Sequence, residues 1–438
     1  MRPNVSSRAP RRACLLAIAL VAASVPIARA AAPDRSGDEK RPYVVVLKNR
    51  SANAKAAAAD HGRRFGVAVK TLYGKGLRGY AGSMTDEDAK RLSREPGVVI
   101  APDSEVTAFG VQSTATTPYG TPPLWGLDRI DEHQRSVPAE NLYHYSATGA
   151  GVTAYVIDSG VRTAHNEFEG RAKVGFDAFG GSGQDCWGHG THVAGILGGK
   201  TFGVAKKVNI VSVKVLNCSG SGTVSNVVAG INWVTGNHAA GKPAVANMSL
   251  GGGANAALDE AVAQSIADGI TYSIAAGNGN VFGSGVNACN TSPARVPAAL
   301  TTGATDNTDK KTTWSNYGSC VDVFAPGNNI PSAWGSTTDP NAWRAVSGTS
   351  MAAPAVGGVA ALFLELVPGA SPGQVSQTVT GMATPNVVTS SNTTGAKLLF
   401  APWQDSDVSA AKDKLDDTAA PTPPPPPPPS CFLCGILA

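Results

Sequence analysis

The sequence predicts an α/β fold, a doubly wound, mostly parallel sheet, preceded by a small α+β module. Two observations carry the prediction. Short runs that are apolar almost throughout recur at Thr153–Asp158, 209–216, Ala244–Met248, 270–275 and 321–324. Unbroken apolarity, rather than alternation, marks strands buried on both faces. Helical patterns such as 224–234 and 257–267 separate them, and alternating strands and helices build parallel sheets through crossover connections. With 438 residues, 42% hydrophobic and 16% charged, the chain has material for one large globular domain with accessories. Its 50 glycines call for many tight turns.

Taken in order, residues 1–30 combine Arg2, Arg8, Arg11 and Arg12 with an apolar run from Cys14 to Ala23 and a closing Ala28-Arg29-Ala30. Charge, length and small-residue cleavage site make this a secretory signal peptide, too short for a permanent anchor. No other stretch reads as a membrane span, so the expected product is exported, without stable membrane insertion, and monomeric. A compact segment follows: the β-rich Tyr43-Val44-Val45-Val46-Leu47, a helical stretch, a strand at 80–84, a helix at 86–94 and Val98-Val99-Ile100. Residues 109–123, rich in Thr, Ser, Gly and Pro, read as a linker open to cleavage. The main domain begins near Trp125. After Leu399 the pattern fades into a polar stretch, 405–417, and an unbroken proline run, 423–429, that forms a stiff spacer. The expected division is 1–30, 31–115, 116–400 and 401–438. A net charge of +4 with dispersed basic residues gives no case for nucleic acid.

The chemistry centres on Ser347-Gly348-Thr349-Ser350-Met351-Ala352-Ala353-Pro354, which leads into the helical pattern Val356, Val359, Ala360, Phe363, Leu364. Ser350 is thereby placed at a helix N-terminus, where unpaired N–H groups and the macrodipole favour negative charge. Pro354 is expected in the first turn, where its missing N–H costs nothing. A cap serine would share this pattern, so the decision rests on partners elsewhere. Asp158 ends a strand, at the edge where sites form in such sheets. His189 opens Gly188-His189-Gly190-Thr191-His192-Val193-Ala194-Gly195. The His-x-x-His pair lacks the glutamate of a zinc-protease helix.

The motifs Val156-Ile157-Asp158-Ser159-Gly160, His189 to Gly195 and Gly348-Thr349-Ser350-Met351-Ala352-Ala353-Pro354, in the order Asp, His, Ser, together resemble the subtilisin-like serine proteases over about 125–399, most closely the proteinase K and aqualysin branch. The resemblance implies a broad-specificity endopeptidase with no catalytic cofactor, Ser350 as nucleophile, His189 as base and Asp158 orienting it. It makes His192 a packing or hydrogen-bonding residue and Asn278 the side-chain donor to the oxyanion. Gly220, Ser221 and Gly222 would face Ser249, Leu250 and Gly251 across a groove for an extended protein or peptide substrate. Ala275, Ala276 and Gly277 would line a roomy apolar pocket for an aromatic or large aliphatic residue.

Among the cysteines, Cys14 leaves with the signal segment and Cys431 and Cys434 lie beyond the prolines. Cys186, Cys218, Cys289 and Cys320 admit three pairings, permitted by export. The resemblance pairs Cys186 with Cys218 and Cys289 with Cys320. It also implies structural calcium, on Asp322 with the carbonyls of Pro297 and Ala299, and on Asp128 with Asp131; solvated carboxylates are the alternative. The module 41–109 resembles the family's inhibitory propeptide, its end lying through the site as a product strand, with self-cleavage within 111–117. One departure is noted: Ala355 stands where relatives carry histidine. The competing reading is a catalytically silent scaffold tethered through Cys431 and Cys434; a tail removed during maturation is the plainer account of those cysteines.

Overall fold

The computed structural model describes residues 39–47, 52–73, 79–102, 110–113, 123–279, 283–335 and 338–417. The signal segment, the proline run and the terminal cysteines lie outside the described residues. The chain divides into two compact units between Ser104 and Glu105.

The first unit is a four-stranded antiparallel sheet in the order Ala68–Tyr73, Gly79–Met84, Arg41–Leu47, Val98–Pro102. Helices Ala54–Phe65 and Asp86–Leu92 start at Asn53 and Thr85, whose side chains accept backbone N–H groups of the first turn. Val45, Phe65, Tyr80, Met84 and Leu92 form its core.

The second unit is built on a nine-stranded sheet. From one edge the strands run Thr384–Pro385, Lys397–Leu398, Val323–Pro326, Leu300–Thr305, Thr271–Ala275, Ala244–Met248, Thr153–Asp158, Asn209–Lys214 and Ala172–Asp177. All neighbours are parallel except the first pair. Thr153–Asp158 lies between Asn209–Lys214 and Ala244–Met248: the chain places Ala172–Asp177 and Asn209–Lys214 on one side of it, then reverses and builds the other side from Ala244–Met248 onward. That reversal opens a crevice at the carboxyl ends of these strands. Two cores flank the sheet: one gathers Val156, Leu197, Val204, Val356 and Phe363, the other Ile157, Val213, Ile231, Ile274 and Phe324.

Helix Thr349–Leu366 crosses the first face and is buried along nearly its whole length. It is apolar enough over eighteen residues to cross a membrane, which corrects the expectation that only the first segment reads so. Burial inside the domain accounts for the composition, since a helix apolar all round is a core helix.

Three further departures have physical causes. Residues 109–123 are not all linker: Gly110–Ser113 pairs with Leu142–Tyr145 through the backbone, which composition does not report. Order continues beyond Leu399 into a helix Asp405–Asp417, whose Ala411 and Leu415, four apart, are buried in the first core while the polar face stays outside. A boundary at 400/401 therefore cuts off a packed helix. Pro354 is the sixth residue of its helix, beyond the first turn.

Candidate active site

Asp158 ends its strand fully buried. Its Oδ1 accepts from Ser159 N at 2.7 Å and from His189 Nδ1 at 2.8 Å. With Nδ1 engaged, the opposite ring nitrogen, Nε2, is free to act as a base. Burial works against a charged His189; the charge of Asp158 and its hydrogen bond outweigh this, with Asp185 adding to them, so the imidazole pKa lies above its ordinary 6.5.

Asp185 holds the turn before the histidine helix. Its Oδ1 accepts from Ser159 Oγ, Trp187 N and Gly188 N, and its Oδ2 from Thr191 N and Thr191 Oγ1. Ser159 Oγ in turn accepts from Gly190 N. One buried carboxylate thus caps helix His189–Gly198 and ties it to the Asp158 turn. Lys214 Nζ donates to Ser159 O and Leu216 O, joining that turn to the next strand end. His192 is buried and donates to the carbonyls of Ile330 and Arg344; burial pushes its pKa down to about 3. The two histidines of the motif therefore serve different partners and form no metal pair.

Ser350 is the second residue of helix Thr349–Leu366 and lines the same groove as His189. Its Oγ donates to Ser249 O at 3.2 Å. An ordinary helix would satisfy the Ser350 carbonyl with the N–H of residue 354, but that residue is proline. Ser249 Oγ donates to this carbonyl at 2.8 Å instead. The hydroxyl is itself held by Asn247 Nδ2, and Asn247 Oδ1 by Ser273 Oγ. Pro354 thus opens a bond that a chain of neutral groups from the sheet closes beneath the serine.

Asn278 follows the strand Thr271–Ala275. Its Oδ1 accepts from both Thr349 N and Thr349 Oγ1, which fixes the amide orientation and leaves Nδ2 beside Gly348. Asn316 clamps the loop before it, donating to Ala276 O and accepting from Gly279 N and Val286 N. Gly277 has φ of 102°, and a Cβ there would lie 2.5 Å from Asn316 Nδ2, so only glycine fits.

Gly220, Ser221, Gly222, Ser249, Leu250 and Gly251 line one groove with His189, Asn278 and Ser350. Ala275, Ala276 and Gly277 line the adjoining pocket with Ala294 and Thr349. Cys186–Cys218 and Cys289–Cys320 are disulfide-bonded. Ala355 lies away from the groove and lines an apolar cavity with Leu124, Ile196, Phe202 and Met351. Sequence reasoning missed Asp185, Asn316 and Trp187, and it named Thr349 and Ser249 without foreseeing that their hydroxyls bond Asn278 and the Ser350 carbonyl.

The calcium candidates are set apart from this groove. Asp128 and Asp131 are buried; Asp128 Oδ1 accepts Leu142 N, and Asp131 Oδ2 accepts His144 N and His144 Nδ1. Asp131 Oδ1 has no partner, and burial pushes the two carboxyls up to about 6 and about 8 respectively. Asp322 Oδ2 accepts Thr301 N. Among the described residues no cluster of three or more His, Cys, Asp or Glu forms a metal site.

Residues 149–400 match the subtilase family, Peptidase S8, and residues 42–108 match peptidase inhibitor I9. The chain belongs to the subtilase family. It is 52% identical to an extracellular serine proteinase of Thermus sp. (strain Rt41A), over 76% of this chain and 78% of the relative. It is 41% identical to the alkaline serine protease ver112 of Corniculantispora psalliotae, over 80% and 86%. The crystal structure of a cold-adapted subtilisin-like serine proteinase matches with a TM-score of 0.59 and 50% identity, covering 63% of this chain and 97% of that one. This subtilase is accordingly a serine endopeptidase with an inhibitor-type propeptide, and its family chemistry needs no catalytic cofactor.

Proposed function

We propose that Ser350 is the nucleophile of a secreted, self-processing zymogen, with His189 as base, Asp158 as its orienting acid and Asn278 in the oxyanion hole. The observation that carries this is the hydrogen bond from His189 Nδ1 to buried Asp158 Oδ1, at the edge of the groove that Ser350 also lines.

Ser350 Oγ attacks the scissile carbonyl and its proton passes to His189 Nε2. Asp158 stabilises the resulting imidazolium. The tetrahedral oxyanion takes the Ser350 N–H, which has no acceptor within its helix, and Asn278 Nδ2. Collapse breaks the peptide C–N bond as the imidazolium gives its proton to the departing amine. Water, deprotonated by His189, then releases the acyl group and restores the hydroxyl.

An extended substrate bonds to the Gly220–Gly222 and Ser249–Gly251 edges through its main chain, which is the basis for broad specificity. The pocket at Ala275, Ala276 and Gly277 takes an aromatic or large aliphatic residue. The maturation scheme removes 1–30 as signal peptide and 31–115 as propeptide, by cleavage within 111–117; the catalytic unit runs from 116 through the packed helix Asp405–Asp417, with the remainder of the tail following. The mature enzyme acts as a monomer on proteins and peptides, with no nucleic-acid partner or stable membrane insertion. Calcium fits best at Asp128 and Asp131, where the unpartnered Asp131 Oδ1 and two carboxyls whose charged forms burial disfavours would be served by a hard cation. Asp322 with the Pro297 and Ala299 carbonyls is the second candidate.

The test is casein hydrolysis by the secreted product beside Ser350→Ala, both sized by mass spectrometry. Wild type is expected to digest casein and to be shortened within 111–117, while Ser350→Ala stays inert and uncut. A processed, active Ser350→Ala protein would overturn the assignment, and two inert, full-length proteins would favour the silent scaffold.

A further inference from the structure

Among the described residues, Trp187 is one of few large apolar side chains left exposed, at 39%. It is held rigidly: its backbone N–H donates to Asp185 Oδ1, and the preceding Cys186 is bonded to Cys218, two residues before Gly220. The indole stacks on the His189 ring with centroids 5.0 Å apart and planes 26° apart. Its six-membered ring covers Gly220, where φ is 74° and a Cβ would lie 2.5 to 2.6 Å from the ring carbons. The indole therefore bridges the base and one edge of the substrate groove, and lines that groove together with Leu216. A large apolar surface held rigid and exposed inside a cleft, when it could have been packed away, points to ligand contact.

Strand geometry says which part of the ligand arrives there. Successive side chains of an extended peptide point to opposite faces. The residue giving the scissile carbonyl sends its side chain into the pocket at Ala275, Ala276 and Gly277. The residue before it, the penultimate residue, must point to the other face, toward His189, Leu216 and Trp187.

We propose that Trp187 is a specificity-determining residue that forms, with His189 and Leu216, an apolar wall selecting aliphatic or proline side chains at the penultimate position of the substrate. The inference rests on the groove assignment of the preceding section. A penultimate valine or proline is held by burying its surface on the indole, whereas glycine gains nothing there and a carboxylate loses its hydration against an apolar face. The same contact shields His189 whatever the substrate, so substrate dependence separates selection from support.

The experiment uses the secreted full-chain product and peptide anilides that differ only at the penultimate position: glycine, valine, proline and aspartate. Wild type is compared with Trp187→Ala, Trp187→Gln and Trp187→Phe, each normalised by titration of reactive serine. In the two variants without a ring, the valine-to-glycine and proline-to-glycine ratios of kcat/KM are expected to fall about tenfold, and aspartate to gain relative to valine. Trp187→Phe is expected to keep most of the preference. Trp187→Gln preserves bulk over Gly220 and carries the test if the alanine variant fails to accumulate. Unchanged ratios, or an equal fall for all four substrates, would overturn the proposal and leave Trp187 as packing for His189. If wild type cleaved none of the four, including glycine, the fault would lie in the groove assignment and not in Trp187.

Discussion

The Asp158–His189 side of the cleft and the Ser350–Asn278 side are built from different chemistry. On the first, two buried carboxylates do the organising: Asp158 holds the imidazole and Asp185 gathers five donors from the turn beneath it. On the second, no charge is used. Thr349, Ser249, Asn247, Ser273 and Asn316 pass neutral hydrogen bonds from the sheet to the serine and the asparagine amide. In the proposed mechanism, the half that would move a proton is tuned by charge, and the half that would hold atoms still against a developing oxyanion is tuned by position. Changes on the first side should move the pH profile, and changes on the second should move the rate alone.

The largest expected effect is Asp158→Asn. Removing the carboxylate should lower kcat by about 10⁴ and shift the acidic limb of the profile downward. The sign follows from the geometry: the base must be neutral, the folded imidazole holds its proton above pH 6.5, and activity is lost as pH falls through that raised value. A pH–rate series of kcat/KM for both proteins checks it; a limb at or below 6.5 in wild type would contradict the electrostatic account.

Asn278→Ala should cost on the order of 10²–10³ in kcat while leaving that limb in place. A shifted limb would show that the two sides are electrically coupled after all.

Ser249→Ala is the smallest and sharpest. It strands the carbonyl that Pro354 cannot serve, costing about 1–3 kcal/mol of stability by thermal or denaturant unfolding and about tenfold in turnover, again without moving the limb. Adding Pro354→Ala restores an N–H to that carbonyl, so the double variant is expected to recover much of both losses. Independent, additive effects of the two substitutions would refute the link.

Much of this was legible in the sequence because it is local. The buried strands announce themselves by unbroken apolarity, and the three motifs place Asp158, His189 and Ser350 at element ends. Leu300–Thr305 was not legible: three threonines and a glycine interrupt the apolar run that marks the other strands, although the segment is buried in the sheet, where Thr301 Oγ1 donates to Ala294 O. Ala172–Asp177 is an edge strand, half exposed, and lacks the apolar signal. Asp185 is a single carboxylate beside a cysteine until the fold brings Ser159 and Thr191 to it. Trp187 looks like any tryptophan until its ring is seen over His189 and Gly220. Residues that position others are invisible in a sequence because their partners are remote in it.

The most direct test of the central claim is labelling of the mature enzyme with a fluorophosphonate, with the modified residue located by peptide mass spectrometry. The account predicts stoichiometric label on Ser350, its rate rising with pH along the same limb as peptide hydrolysis, and almost none in His189→Ala. Label on another residue, or label on Ser350 undiminished in His189→Ala, would contradict it.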